Sequence, residues 1–279
     1  MSTIRPARRD NDSGAENGAS TSSTRFAVGT FANPSAPAST VRMLAAQTRM
    51  EASLFLRNGE QLLLALVIPI GILIALVYLP LVSDDPDARV DGAMAAVLAV
   101  AVMASAFTGQ AISVGFDRRY GALKRLGATP LPPSVIIGGK STAVALIVAG
   151  QCLIIGLIGV ALGWRPGLAA IGIGALVILI GTFAFSTLGL FLGGLLKAEI
   201  VLGLANLIWF LFVGAAGIAV GVSGLPIWVD RLLALIPAHA LTTGLLEAQA
   251  GGWPLIEMAL LLIWGVVGAF LANRTFSFT

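Results

Sequence analysis

The stretch "GGKST" at residues 138–142 has the residue types that cradle a phosphate. A phosphate-binding loop also needs a glycine five residues ahead of its Gly-Lys pair, after a β-strand, so that backbone N–H groups ring the anion. That position holds Ser134, and no strand-like alternation precedes it. Lys140 therefore reads as a charged anchor where an apolar segment begins, and this stretch binds no nucleotide. The chain has one histidine, His239, and one cysteine, Cys152. One of each excludes an intramolecular disulfide, a thiolate metal cluster and an HExxH site. His239 reads as a hydrogen-bonded structural residue. No nucleophile elbow occurs, so catalysis within the chain has no candidate constellation.

The elements that must position any site are apolar. Of 279 residues, 57% are hydrophobic and 11% charged, against about 25% charged in a soluble domain. The net charge of +3 is too small to suggest nucleic acid as a partner. Runs long enough to cross a bilayer fall at roughly 62–82, 92–114, 139–163, 168–196, 200–223 and 255–272. Residues 1–40 hold no apolar run and read as a disordered cytosolic tail. With that tail inside, fourteen of the seventeen Lys and Arg residues fall on the inner side and only Arg89, Arg165 and Arg231 outside. This bias puts both termini and residues 115–140 in the cytosol.

The inner loop "GFDRRYGALKRLGATPLPP" carries five charges between Asp117 and Arg125. At about 3 kcal/mol per charge at a helix centre, it resists burial in lipid by roughly 15 kcal/mol. Phe116, Tyr120 and Leu123 fall at i, i+4 and i+7, which predicts one side of a short helix, with Asp117, Arg118, Lys124 and Arg125 on the rest. Gly127 can end that helix, and "TPLPP" forbids its continuation.

Ahead of the first span, Val41, Leu44, Ala45, Thr48, Ala52 and Phe55 share one helical face, with Arg42, Arg49 and Arg57 nearly opposite. This predicts a helix in the inner membrane interface, its arginines among lipid phosphates. Residues 224–254 are apolar but broken by Pro226, Pro237 and Gly251–Gly252. They predict two short helices that dip into the outer leaflet and return, their backbone ends shielded by protein. Glycine pairs at 159/163, 189/193 and 217/221 read as helix packing positions.

In the span interiors the polar residues are uncharged (Ser105, Gln110, Gln151, Thr182, Ser186, Asn206), and Glu257 sits near the outer end of the last one. Proton-driven transporters usually carry intramembrane acids, His or Lys. If this protein moves a solute uphill, the energy then comes from another subunit.

The most specific signal is "DRRYGALKRLGATPLPPSVIIGGK". An acid–Arg pair, Gly-x-Leu, a second Leu, Thr-Pro-Leu and a Lys opening the third span resemble a motif of the permease subunits of ABC-2 type ATP-binding-cassette transporters, including antibiotic and polyketide exporters. Asp117, Arg118, Gly121, Leu123, Leu126, Thr129, Pro130, Leu131 and Lys140 fit it. "PAHALTTGLLEA" resembles the family's proline-led segment before the last span, with Pro237 and Glu247 in place around His239. Lys124 departs from the pattern, since the family commonly has a glutamate there. The resemblance covers about 41–279 and implies an all-α polytopic fold: six spans, an interfacial helix, a cytosolic coupling helix and a re-entrant helical pair. It implies that residues 116–127 (Phe116, Asp117, Arg118, Tyr120, Gly121, Leu123, Lys124, Arg125, Leu126), followed by Thr129 and Pro130, seat a cytosolic ATPase. That partner would carry ATP and Mg, with no cofactor on this chain, and a second permease subunit, identical or not, would complete a path for a hydrophobic or amphipathic cargo (drug, lipid or glycolipid) across the cell membrane. The rival reading is a non-transporting membrane protein, a membrane-bound biosynthetic enzyme or an assembly scaffold.

Overall fold

Helix ends follow from local chemistry. A computed structural model describes residues 38–79, 83–128, 131–222 and 224–275. Most of the expected 1–40 tail, as well as Thr129 and Pro130, lies outside these. Ser39 caps α1 (Thr40–Arg57), its Oγ accepting from the Arg42 N–H at 3.4 Å. The apolar α2 (Gly59–Tyr78) follows. Asp85 caps α3 (Pro86–Arg119), with Pro86 at the first helical position, where its missing N–H has no intrahelical partner to lose. A short α4 (Ala122–Gly127) precedes α5 (Pro133–Ala161), which also begins on proline. Then come α6 (Leu168–Leu195), α7 (Ala198–Gly221), α8 (Ile227–Ala234), α9 (Pro237–Gln249) and α10 (Leu255–Thr275). No strand occurs among the described residues.

Five of these helices, α3, α5, α6, α7 and α10, are long and apolar enough to cross a membrane, and α2 contributes a shorter apolar stretch, Ala65–Tyr78. The chain is an all-α polytopic membrane protein. Burial separates one helix from the rest. The most apolar window of α3 is 89% buried, against 22–39% in the other four. α3 is therefore wrapped by the rest of the chain, while the other four leave much of their surface exposed. At 34 residues it is about 50 Å long, against a hydrocarbon core of about 30 Å. Its charged end must project from the membrane.

Close approach depends on missing side chains. A Cβ on Gly189 would meet the Phe107 carbonyl at 2.6 Å, and one on Gly193 the Ala111 carbonyl at 2.5 Å, so α6 lies directly on the α3 backbone. Gly265 and Gly268 give α10 the same access to α6, where Thr187 Oγ1 donates to the Gly265 carbonyl at 3.1 Å. The other glycine pairs behave differently. Gly159 faces the Met94 sulfur, Gly163 turns the chain at φ +108°, and Gly217 has open space beside it.

One polar contact repairs a defect that the sequence creates. Pro69 inside α2 has no N–H to donate to the Ala65 carbonyl one turn back. Gln151 of α5 donates to that carbonyl instead, at 3.0 Å, while its own Oε1 accepts from Ser105 of α3 at 2.7 Å. Such a bridge satisfies backbone that no water can reach.

Two short helices occupy 227–249, as expected, with a sharp break between them. α8 and α9 meet at 96°, with Pro237 opening α9 and Ile236 extended before it. Trp264 Nε1 of α10 donates to the Leu235 carbonyl at 3.0 Å, satisfying backbone at the break. α9 packs against α3, α6, α7 and α10, which supplies the shielding such a segment needs.

Candidate functional site

The helix expected over 116–127 is two pieces. α3 runs on to Arg119, and Gly121 then adopts φ +67°, a left-handed conformation that glycine tolerates and that ends the helix. α4 restarts at Ala122 and stops at Gly127, as expected from the prolines beyond. The anticipated stripe is thus divided. Phe116 and Tyr120 stack at 5.9 Å on the last turn of α3, with Tyr120 65% exposed, while Leu123 belongs to α4. The 3.6-residue period continues through Tyr120-Gly121 on paper, but one positive φ resets its direction.

The charges expected around one short helix divide as well, between the body of the chain and its surface. Arg118 turns back onto the end of α6, where Nη1 donates to the carbonyl oxygens of Gly194, Gly193 (3.4 Å) and Leu196 (3.5 Å). The last carbonyls of a helix have no intrahelical donors, so a guanidinium there satisfies bonds and opposes the dipole. Arg119 pairs with Glu199 in the first turn of α7 at 2.5 Å, both side chains about half exposed. That pair is worth little as stability, but it ties α3 to α7. Lys124 and Arg125 on α4 are exposed.

Asp117 turns inward, and Lys140 is the largest correction. It is not a surface anchor. It is 3% exposed, about 10 Å along α5 from Pro133. Its Nζ donates to Asp117 Oδ2 of α3 at 2.8 Å, to Glu51 Oε2 of α1 at 2.8 Å and to Ser113 Oγ at 3.3 Å. Gln47 Nε2 donates to the other oxygen of Glu51 at 3.1 Å. One ammonium therefore joins three helices. Glu51 and Ser113 were missed in the sequence because nothing in their spacing links them to Lys140. Neighbouring polar contacts run from Gln110 to Ser186 and from Ser186 to Ser141, each at 3.4 Å.

Beside Lys140 lies a cavity of about 290 Å³ between α1, α3 and α5. Part of its α3 wall is a π-helical segment, Met103–Gly109, a local widening frequent at functional sites. Thr108 Oγ1 in that segment is buried without a partner among the described residues.

α1 is a helix as expected, with Arg42, Arg49 and Arg57 exposed. Its packed face differs. Gln47 and Thr48 are buried and Leu44 half-buried against α5, where Gly138 and Gly139 let the helices close, while Val41 is 76% exposed. Glu51, one turn from Gln47, binds Lys140 from this packed side. At the other end of the spans, His239 is buried on α9, and its Nδ1 finds no partner among the described residues. Pro237 is buried at the start of that helix, and Glu247 is exposed.

A helical membrane chain with a protein-wrapped second span and a charged elbow after it is consistent with several transporter classes. The comparison that decides is with protein families: the ABC-2 type transporter model matches residues 43–250. The chain belongs to the ABC-2 type transporter family. The match takes in α1, the elbow, the Lys140 cluster and the broken α8–α9 pair. No curated protein matches the chain. As an ABC-2 protein it is the multi-pass membrane permease subunit of an ABC transporter and not itself the catalyst, and membership implies an ATPase partner.

Proposed function

We propose that this ABC-2 permease is the membrane half of an exporter in the cell membrane, moving a hydrophobic or amphipathic cargo when a separate cytosolic ATPase presses on the elbow at 116–127. Three consecutive residues support this reading. Asp117, Arg118 and Arg119 close the central helix and bind, in turn, the Lys140 cluster, the end of α6 and the start of α7. Force applied to α4 reaches four spans and α1 through bonds of two to four ångströms. Tyr120 and the exposed Lys124 and Arg125 form the contact surface, while Asp117 and Arg118 transmit. ATP and Mg are held by the ATPase, no cofactor is held here, and two permease subunits, identical or not, line one path within the lipid. Both termini lie in the cytosol, following the asymmetry of Lys and Arg.

The reading is tested in proteoliposomes. The permease with its ATPase is expected to accumulate a lipophilic cargo only with ATP, and the permease alone to move none. Cysteines placed at exposed Ser134 and Asp87 check orientation in intact cells: an impermeant reagent should label the second and spare the first. Uphill transport by the single chain without ATP would overturn the proposal.

A further inference from the structure

We infer that the cavity beside Lys140 is a binding site for a cationic amphiphile, a compound with an ammonium head and a short apolar body. The inference rests on the permease reading above and deepens it by naming a cargo class. Its cluster holds one cation and two carboxylates, which leaves an excess of one negative charge. An ammonium has three N–H donors, and those of Lys140 are taken by Glu51, Asp117 and Ser113. An anionic head would find no free donor on Lys140 and would face two carboxylates. A cationic head finds the Asp117 carboxylate, whose side chain remains 32% exposed.

The walls suit the rest of such a molecule. Met50, Leu54 and Phe55 of α1 face Ala143, Val144 and Ile147 of α5 across the cavity, and Gln110 supplies a further polar contact at the α3 side. Leu54 is 60% exposed, so the apolar wall continues to the surface of α1. At about 290 Å³ the space is at the lower end of ligand pockets. It takes a head group with a ring or a few methylenes, and not a phospholipid.

The test uses the full chain in lipid nanodiscs, with binding counted above empty discs. Octyltrimethylammonium and octanesulfonate share a tail and differ in the sign of the head. The cation is expected to bind saturably and the sulfonate not. Asp117→Asn keeps the Lys140–Glu51 pair and should weaken cation binding roughly tenfold or more, as expected for losing a charged partner. Leu54→Trp narrows the cavity without touching the ion pairs. It should weaken binding while the melting temperature holds, which guards against a folding defect in the first variant. Equal binding of both heads, binding no greater than in empty discs, or unchanged affinity in both variants would overturn the inference. Since no ATPase is needed, its failure leaves the coupling proposal standing, and loss of ATPase association would leave a measured cation site standing.

Discussion

Replacing Lys140 with Met is expected to lower the stability of the permease by about 3 kcal/mol, because removing one partner of a buried ion pair leaves uncompensated charge. The estimate sits at the low end of the usual range of about 3–5 kcal/mol, since water can still reach part of Asp117. In a scanning fluorimetry melt this corresponds to a fall of roughly 6–12 °C. The penalty belongs to Glu51 and Asp117 and not to the missing methylenes, for Met fills nearly the same volume. The triple change Lys140→Met, Glu51→Gln, Asp117→Asn should therefore recover most of the loss, as amides need no cation. A Lys140→Met protein that melts with the wild type would show that the three-helix junction contributes nothing.

The second large effect concerns a hydrogen atom. Gly193→Ala places a Cβ 2.5 Å from the Ala111 carbonyl oxygen and 2.9 Å from Val114 Cβ. The first obstacle is backbone, which no rotamer change can move aside. Overpacking of this kind costs about 1–3 kcal/mol, and the upper end is expected here because α6 must retreat from the central helix. Gly217→Ala is the matched control, for nothing lies within 4 Å of its Cβ. It should be neutral or gain up to about 1 kcal/mol of helix propensity. Equal melting of the two variants would mean that α3 and α6 do not pack as described.

These two sites mark what could be read from the sequence. The spans were legible because lipid demands long apolar helices, and the break before the last span because Pro226 and Pro237 favour the start of a helix over its interior. The elbow was legible as charge that resists burial. Its internal division was not. "DRRYGALKR" has a helical period throughout, and only the backbone reveals that Gly121 turns the chain. Lys140 was misread for a related reason. A lysine near a span end is usually free to reach the head groups, and its partners Glu51 and Asp117 lie 89 and 23 residues away. Likewise Gly189/Gly193 and Gly217/Gly221 are identical in spacing, yet Gly189 and Gly193 lie against another backbone while Gly217 has open space beside it. Spacing shows what can approach, and the neighbouring helix decides what does.

The central claim is that α4 and the turn before it seat the ATPase. Photo-crosslinking from defined positions measures this directly. Benzoylphenylalanine at the exposed Lys124, with a second probe at Tyr120, should capture a nucleotide-binding subunit in membranes, and the capture should change in yield when ATP is added. The same probe at Trp253, 60% exposed beyond α9, should capture none. An ATPase that co-purifies with the permease while neither Lys124 nor Tyr120 ever crosslinks to it would contradict the account.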